Sequence, residues 1–143
     1  VDLLFEARPP TPELARDIEG GRYEFALIHR RSDRPVEGYL RELALVRGGI
    51  YGHRKFAEGK SLPLALEDLN RLPFIMPTAA SGPERDMIAY FEEAGIRPQH
   101  VAGHTQYYDV MATMLESGIG VASFADPILP TAMRDTVILL YPL

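Results

Sequence analysis

The sequence predicts an α/β fold whose sheet is mostly parallel. Short apolar runs alternate along most of the 143 residues with amphipathic runs of helical spacing. Some apolar runs, such as YEFALI, are nearly continuous, as expected for strands that are covered on both faces. Polar loops leave the predicted strands and enter the predicted helices, and ligands collect at such junctions in folds of this class.

The first third of the chain contains three apolar segments that predict strands, at residues 1–7, 23–28 and 39–47. A helix is predicted between the first two. Thr11 is a suitable N-cap because its hydroxyl can accept a free backbone N–H, and Pro12 then occupies the first helical position. Gly20–Gly21 predicts the end of this helix. Residues 29–38 and 48–61 predict loops.

The rest of the chain predicts four strands and three helical segments. Strands are expected at residues 72–77, 99–105, 119–124 and 136–143, a short helical turn at 64–71, and irregular structure at 125–133. A longer helix follows Ser81, ends at Gly95 and is expected to bury Met87, Ile88, Phe91 and Ala94. In the helix at 106–118, one face is expected to carry Val110, Met111, Met114 and Leu115.

The stretch PTAASGPE, residues 77–84, is the most informative junction. Thr78 and Ser81 offer hydroxyls beside small residues, at a helix start whose free N–H groups and dipole favour an anion. The alternative is that Ser81 only caps its own helix, with Glu84 completing a capping box. From this stretch alone the two interpretations are about equally good.

Three other junctions raise the same choice. Thr11 either caps its helix or contacts a ligand, and His29 follows an apolar strand where a basic group can pair with an acidic ligand. In HTQYYD, either Thr105 or Gln106 can cap, and Tyr107 can pack against the fold or face a ligand. Several polar helix entrances in one α/β chain predict a polar cleft.

Composition excludes several classes of function. The net charge is −5 and there is no cysteine, so neither a basic nucleic-acid surface nor a thiolate site is expected. His100 and His104 would lie about 13 Å apart on a strand, too far for one metal ion. We therefore expect no metal, no cofactor and no catalysis. No signal peptide or membrane span is seen, and both ends of the chain look truncated.

The order of motifs resembles the effector-binding domain of LysR-type transcriptional regulators. The resemblance rests on GGRYEFALI, LRELALV, SLPLALEDLNRLPFI, PTAASGPERDMIAYFEEAGIRP and MLESGIGVASFADPIL, and it covers nearly all of residues 11–143. It implies a type 2 periplasmic-binding-protein-like fold, in which crossover strands join two α/β lobes. Residues 1–40 would be part of lobe I, which is incomplete, 41–136 lobe II, and 137–143 the return crossover strand to lobe I.

The resemblance also implies a function. A small effector, a carboxylate or another anion, would bind between the lobes, and the implied ligand-binding residues are Thr11, His29, Thr78, Ser81, Gln106 and Tyr107. The protein would be cytoplasmic and a homodimer or homotetramer. It would contact DNA only through an N-terminal helix-turn-helix absent from this chain. Pro9–Pro10–Thr11 and Tyr107 depart from the family pattern, and Tyr107 could narrow the cleft or stack on an aromatic effector. The alternative is a solute-binding protein of a transporter, which shares the fold.

Overall fold

The computed structural model describes residues 4, 6, 8, 12–27, 41–79, 81–125 and 128–143. The chain divides into two compact units, Val1–Leu43 and Ala44–Leu143. Thr11, His29 and the predicted loop at 29–38 lie outside the described residues, and of the predicted strand at 1–7 only residues 4 and 6 are described.

The described part of the first unit contains one helix. The helix α1 spans Pro12–Glu19 as predicted, and the chain leaves it through Gly21, whose φ of 74° suits glycine. Two arginine side chains form hydrogen bonds with Asp17 in this unit. Arg8 Nη1 donates to Asp17 Oδ2 at 2.7 Å and to Tyr23 Oη at 3.0 Å, and Arg22 Nη1 also donates to Asp17 Oδ2, at 2.9 Å.

The predicted strand at 23–28 is not formed in its described part, residues 23–27. Phe25 and Leu27 are 90% and 87% exposed. A strand needs a neighbour to satisfy its backbone N–H and C=O groups, and the described residues of this unit include no strand. The prediction of a strand is therefore wrong for residues 23–27.

The second unit is built on a five-stranded mixed sheet. Its strands are β1 (Gly48–His53), β2 (Pro73–Met76), β3 (His100–His104), β4 (Val121–Ala125) and β5 (Val137–Pro142), in the spatial order β3-β2-β4-β1-β5. Strand β2 runs parallel to β3 and β4, whereas β1 runs antiparallel to β4 and β5. The sheet is therefore mixed rather than mostly parallel.

Three helices accompany this sheet: α2 (Leu66–Asn70), α3 (Gly82–Ala94) and α4 (Tyr108–Glu116). Short 3₁₀ turns occur at Arg54–Ala57 and Thr131–Met133. Gly95 (φ 72°) follows α3 and Gly118 (φ 66°) follows α4, as predicted. No helix formed by the described residues combines the length and apolar character needed to cross a membrane.

The prediction of a strand at 39–47 followed by a loop at 48–61 was wrong. Residues 41–47 form no strand, and Leu43 and Leu45 are largely exposed, whereas β1 begins at Gly48. The glycines of β1 explain the error. A Cβ on Gly52 would lie 2.7 Å from Val121 Cγ1, and one on Gly49 would overlap the Leu139 side chain. Glycine therefore permits close approach inside the sheet, although its intrinsic strand preference is low.

Helices α3 and α4 cover opposite faces of β2. Met87 and Phe91 of α3 pack in one cluster with Phe74, whereas Met111 and Leu115 of α4 pack in another with Ile75. Phe74 and Ile75 are consecutive strand residues, so they point to opposite faces. Both helices therefore bury most of the face that sequence spacing predicted.

Two residues of the predicted apolar stripes are not buried. Ile88 is 41% exposed and Val110 is 44% exposed. On α4, Ala112 is buried instead of Val110. Each stripe is therefore narrower than predicted, because adjacent residues on a helix point about 100° apart and only part of the apolar set faces the sheet.

Replacing Phe91 should test the packing of α3. Phe91 is 3% exposed and its ring meets Phe74 edge-on, with 5.5 Å between centroids. We expect Phe91→Ala to lower the free energy of unfolding by about 3–5 kcal/mol in urea titrations. The control Ile88→Ala, on the same helix but half exposed, should cost less than about 1 kcal/mol. Equal losses would contradict this packing.

The pKa of Asp17 gives a pH-dependent test of the first unit. The hydrogen bond from Arg8 lowers the pKa of the Asp17 carboxyl from its ordinary value of 3.8, although desolvation opposes the shift. Because this pKa is lower in the folded protein, the interaction stabilises the unit above the unfolded-state pKa and is lost as pH falls through the folded-state value. NMR titration of the carboxyl carbon should show a higher pKa in Arg8→Gln but not in Arg16→Gln, whose arginine pairs with Glu13.

Candidate functional site

Two polar loops leave the sheet at the same edge. Strands β2 and β3 are parallel neighbours, and their last residues, Met76 and His104, are paired in register. The helices that follow these strands, α3 and α4, lie on opposite faces of the sheet. In open α/β sheets, the place where adjacent strands send their connections to opposite faces is the usual ligand-binding position.

The loop after β2 ends in a serine cap. Ser81 has extended backbone angles (φ −79°, ψ 162°), and its Oγ accepts the Glu84 backbone N–H at 3.1 Å. The Ser81 N–H donates to the Thr78 carbonyl at 3.2 Å, which holds the loop in a turn. The capping interpretation of Ser81 is therefore correct as far as the contact within the chain is concerned.

The loop after β3 is anchored by a buried threonine. Thr105 is 9% exposed, its N–H donates to the Met76 carbonyl at 2.9 Å, and its Oγ1 accepts the Tyr107 N–H at 3.2 Å. Tyr107 is the N-cap residue of α4, but its side chain makes no capping bond and is 51% exposed. The backbone of Tyr107 therefore opens the helix while its ring faces outward.

Two side-chain contacts join the loops. His104 Nδ1 lies 2.8 Å from the Pro77 carbonyl oxygen, and Thr78 Oγ1 lies 3.5 Å from Gln106 Oε1, at the outer limit of a hydrogen bond. We call this group of residues, Pro77, Thr78, Ser81 and His104–Tyr107, the polar edge. The polar edge presents hydroxyl, amide and imidazole groups, which can form hydrogen bonds with a polar ligand.

Two carboxylates lie next to the polar edge. Glu84 lies in the first turn of α3 and Asp109 in the first turn of α4. Carboxylates at these positions interact favourably with the helix dipoles and offset part of the attraction that a helix N-terminus exerts on an anion. Among the described residues, no group of three or more His, Asp and Glu side chains is placed to hold a metal ion.

The structure brings four of the six predicted site residues together. Thr78, Ser81, Gln106 and Tyr107 lie on the polar edge, while Thr11 and His29 lie outside the described residues. Sequence reasoning missed His104 and the anchoring role of Thr105. Their signal was positional, since His104 is the last residue of a strand that enters a polar helix junction.

Two shallow apolar depressions lie elsewhere on the second unit. One, of about 300 Å³, is lined by Leu62, Pro63, Leu139, Leu140 and Pro142. The other, of about 310 Å³, is lined by Tyr51, Leu129, Arg134, Val137, Ile138 and Leu139. Neither includes a residue of the polar edge, and β5 contributes three lining residues to each.

Comparison with known proteins gives one consistent family. The model of the LysR substrate binding domain matches residues 7–142. No curated protein gives a significant match.

Solved structures of regulators resemble the chain in fold. HinK, a LysR family transcriptional regulator from Pseudomonas aeruginosa, matches with a TM-score of 0.64 and 18% identity over 90% of this chain and 44% of its own. The effector binding domain of QuiR in complex with shikimate matches with 0.62 and 15%, over 90% and 59%. The CcmR regulatory domain from Synechocystis PCC6803 in complex with 2-PG matches with 0.52 and 16%, over 66% and 46%. The chain thus spans 44–59% of the length of these three structures.

The cap at Ser81 can be tested by stability alone. We expect Ser81→Ala to lower the free energy of unfolding by about 1 kcal/mol, because the Glu84 N–H loses its acceptor, and Ser81→Asp to restore most of that loss. Urea titration measures both. Ser61→Ala, in an exposed non-helical segment, is the control and should leave stability unchanged. An unchanged stability in Ser81→Ala would show that the cap bond is not formed in solution.

Proposed function

The chain belongs to the LysR substrate binding domain family, and on that basis we propose that it is the effector-binding part of a bacterial LysR-type DNA-binding transcription regulator. It senses a small anionic metabolite in a cleft between two lobes. The observation that carries the proposal is the polar edge, where two parallel neighbours, β2 and β3, send their helices to opposite faces of the sheet.

Hydrogen-bond donors at the polar edge support an anionic ligand. A serine hydroxyl has two lone pairs and one proton, so the bond from the Glu84 N–H leaves the Ser81 O–H able to donate. Capping and ligand binding are therefore compatible at Ser81. Gln106 has two amide N–H donors, and its Oε1 lies 3.5 Å from Thr78 Oγ1. The shikimate complex of QuiR supports the same class, since shikimate is a carboxylate.

The proposed site has two sides. Thr78, Ser81, Gln106 and Tyr107 contribute from lobe II, which extends over residues 41–136. Thr11 and His29 contribute from lobe I, residues 1–40, and residues 137–143 are the return crossover strand. A basic group at His29 would pair with an acidic ligand.

Apolar exposure in the first unit supports a lobe I with further strands. Phe25 and Leu27 belong to the nearly continuous apolar run YEFALI, and both are almost fully exposed. The family structures are longer than this chain, which spans 44% of HinK and 59% of QuiR. We therefore propose that residues 23–28 form a strand when paired with other segments of a complete regulator.

The proposed mechanism is a shift between two arrangements of the lobes. An effector that binds one arrangement more tightly raises its population, and this changes how a homodimer or homotetramer positions its DNA-binding modules. DNA contact would occur through a helix-turn-helix outside these residues, in the cytoplasm. No step of this mechanism requires catalysis, and the family match favours it over transport of a solute.

Ligand binding should depend on Thr78. In a thermal-shift screen of carboxylates and inorganic anions, a ligand at a hundredfold its Kd should stabilise the protein by about 2.7 kcal/mol. Titration calorimetry should show binding of the best ligand weakened about fivefold in Thr78→Val, because one hydroxyl contact is lost.

The matched control is Thr113→Val. Thr113 is an exposed threonine of α4 whose Oγ1 donates to the Asp109 carbonyl within the helix. This variant should bind like the wild type. Unchanged binding in Thr78→Val, or equal weakening in both variants, would contradict a ligand site at the polar edge.

A further inference from the structure

We propose that His104 makes the polar edge selective for hydroxylated carboxylates, a proposal that rests on the effector-binding function above. The starting point is the contact between His104 Nδ1 and the Pro77 carbonyl oxygen, 2.8 Å apart. A carbonyl oxygen only accepts hydrogen bonds, so Nδ1 carries the proton in this contact. In the neutral ring Nε2 is then an acceptor.

The position of the ring makes this acceptor available to a ligand. His104 is an exposed residue, and within the described part of the chain no hydrogen bond to its Nε2 is formed. The ring is held at the end of β3 by the loop that follows the neighbouring strand β2, since Pro77 lies 27 residues away in sequence. The hydrogen bond to Pro77 fixes the tautomer of His104. It also restricts rotation of the ring, so less side-chain entropy is lost when a ligand binds.

Gln106 provides the complementary group. His104 and Gln106 flank the buried Thr105, and they contact consecutive residues of the facing loop, Pro77 and Thr78. The amide N–H groups of Gln106 are donors, which suits a carboxylate, whereas Nε2 of His104 is an acceptor, which suits a hydroxyl proton. A carboxylate that carries a nearby hydroxyl satisfies both groups, and its deoxy analogue leaves Nε2 without a partner.

The test compares pairs of acids that differ by one hydroxyl. The probes are malate with succinate, lactate with propionate, and 3-hydroxybenzoate with benzoate, titrated calorimetrically into the protein at about pH 8, above the range in which histidine side chains usually change charge. In at least one pair, the hydroxylated acid should bind about tenfold more tightly than its analogue.

Substitution at His104 separates recognition from structure. The amide of asparagine can replace the Nδ1–H donor to Pro77 but has no group at the Nε2 position, so His104→Asn should reduce the hydroxyl preference to about onefold. Because this preference is a ratio of two affinities, a loss of binding common to both acids leaves it unchanged. His100→Asn, at the other end of the same strand, is the matched control and should keep the preference.

The outcomes distinguish this inference from the function on which it rests. If acids bind but none of the three pairs shows a hydroxyl preference, the role of His104 is overturned and the effector-binding function stands. A preference that survives in His104→Asn also overturns it. If none of the six acids binds, both the inference and the anionic-effector proposal fail.

Discussion

The parallel pairing of β2 with its neighbours is the constraint from which the geometry of the second unit follows. Met76 and His104 end their strands side by side, so the loops that follow must leave from one edge. Because Phe74 and Ile75 are each covered by a different helix, those loops diverge to opposite faces. The buried Thr105, bonded to the Met76 carbonyl, holds the divergence in place. Polar groups collect at this edge because the topology brings them there.

Capping and the proposed recognition of an effector would use the same side chains in this arrangement. The hydroxyl of Ser81 accepts a backbone N–H that would otherwise be unpaired, and its own O–H remains able to donate. Thr105 similarly uses Oγ1 to hold the backbone of Tyr107, which leaves the tyrosine ring outside. The side chains that stabilise a helix N-terminus are therefore also held in position as potential hydrogen-bond donors. Fixed donors lose less conformational entropy when a ligand binds.

Local signals predicted the parts of the fold that local physics controls. The start of α3 at Ser81 and its end at Gly95 were readable because caps and left-handed glycines act within a few residues. The strand β1 could not be predicted from local sequence. Gly52 occurs there because the Val121 and Leu140 side chains leave no room for a Cβ, and glycine itself has a low strand propensity. Four residues of the polar edge were picked out as site candidates because they lie at helix entrances. The contact of His104 with Pro77 was not predicted, because it exists only once two distant strands have paired.

The most direct test of the polar edge as the effector site is a map of backbone amide shifts by ¹⁵N NMR. The protein would be titrated with the carboxylate that stabilises it most. Our account predicts that the largest shifts cluster at residues 76–84 and 104–109, on both loops at once. Shifts centred instead on Leu62, Leu139 and Leu140, which line one apolar depression, would contradict it.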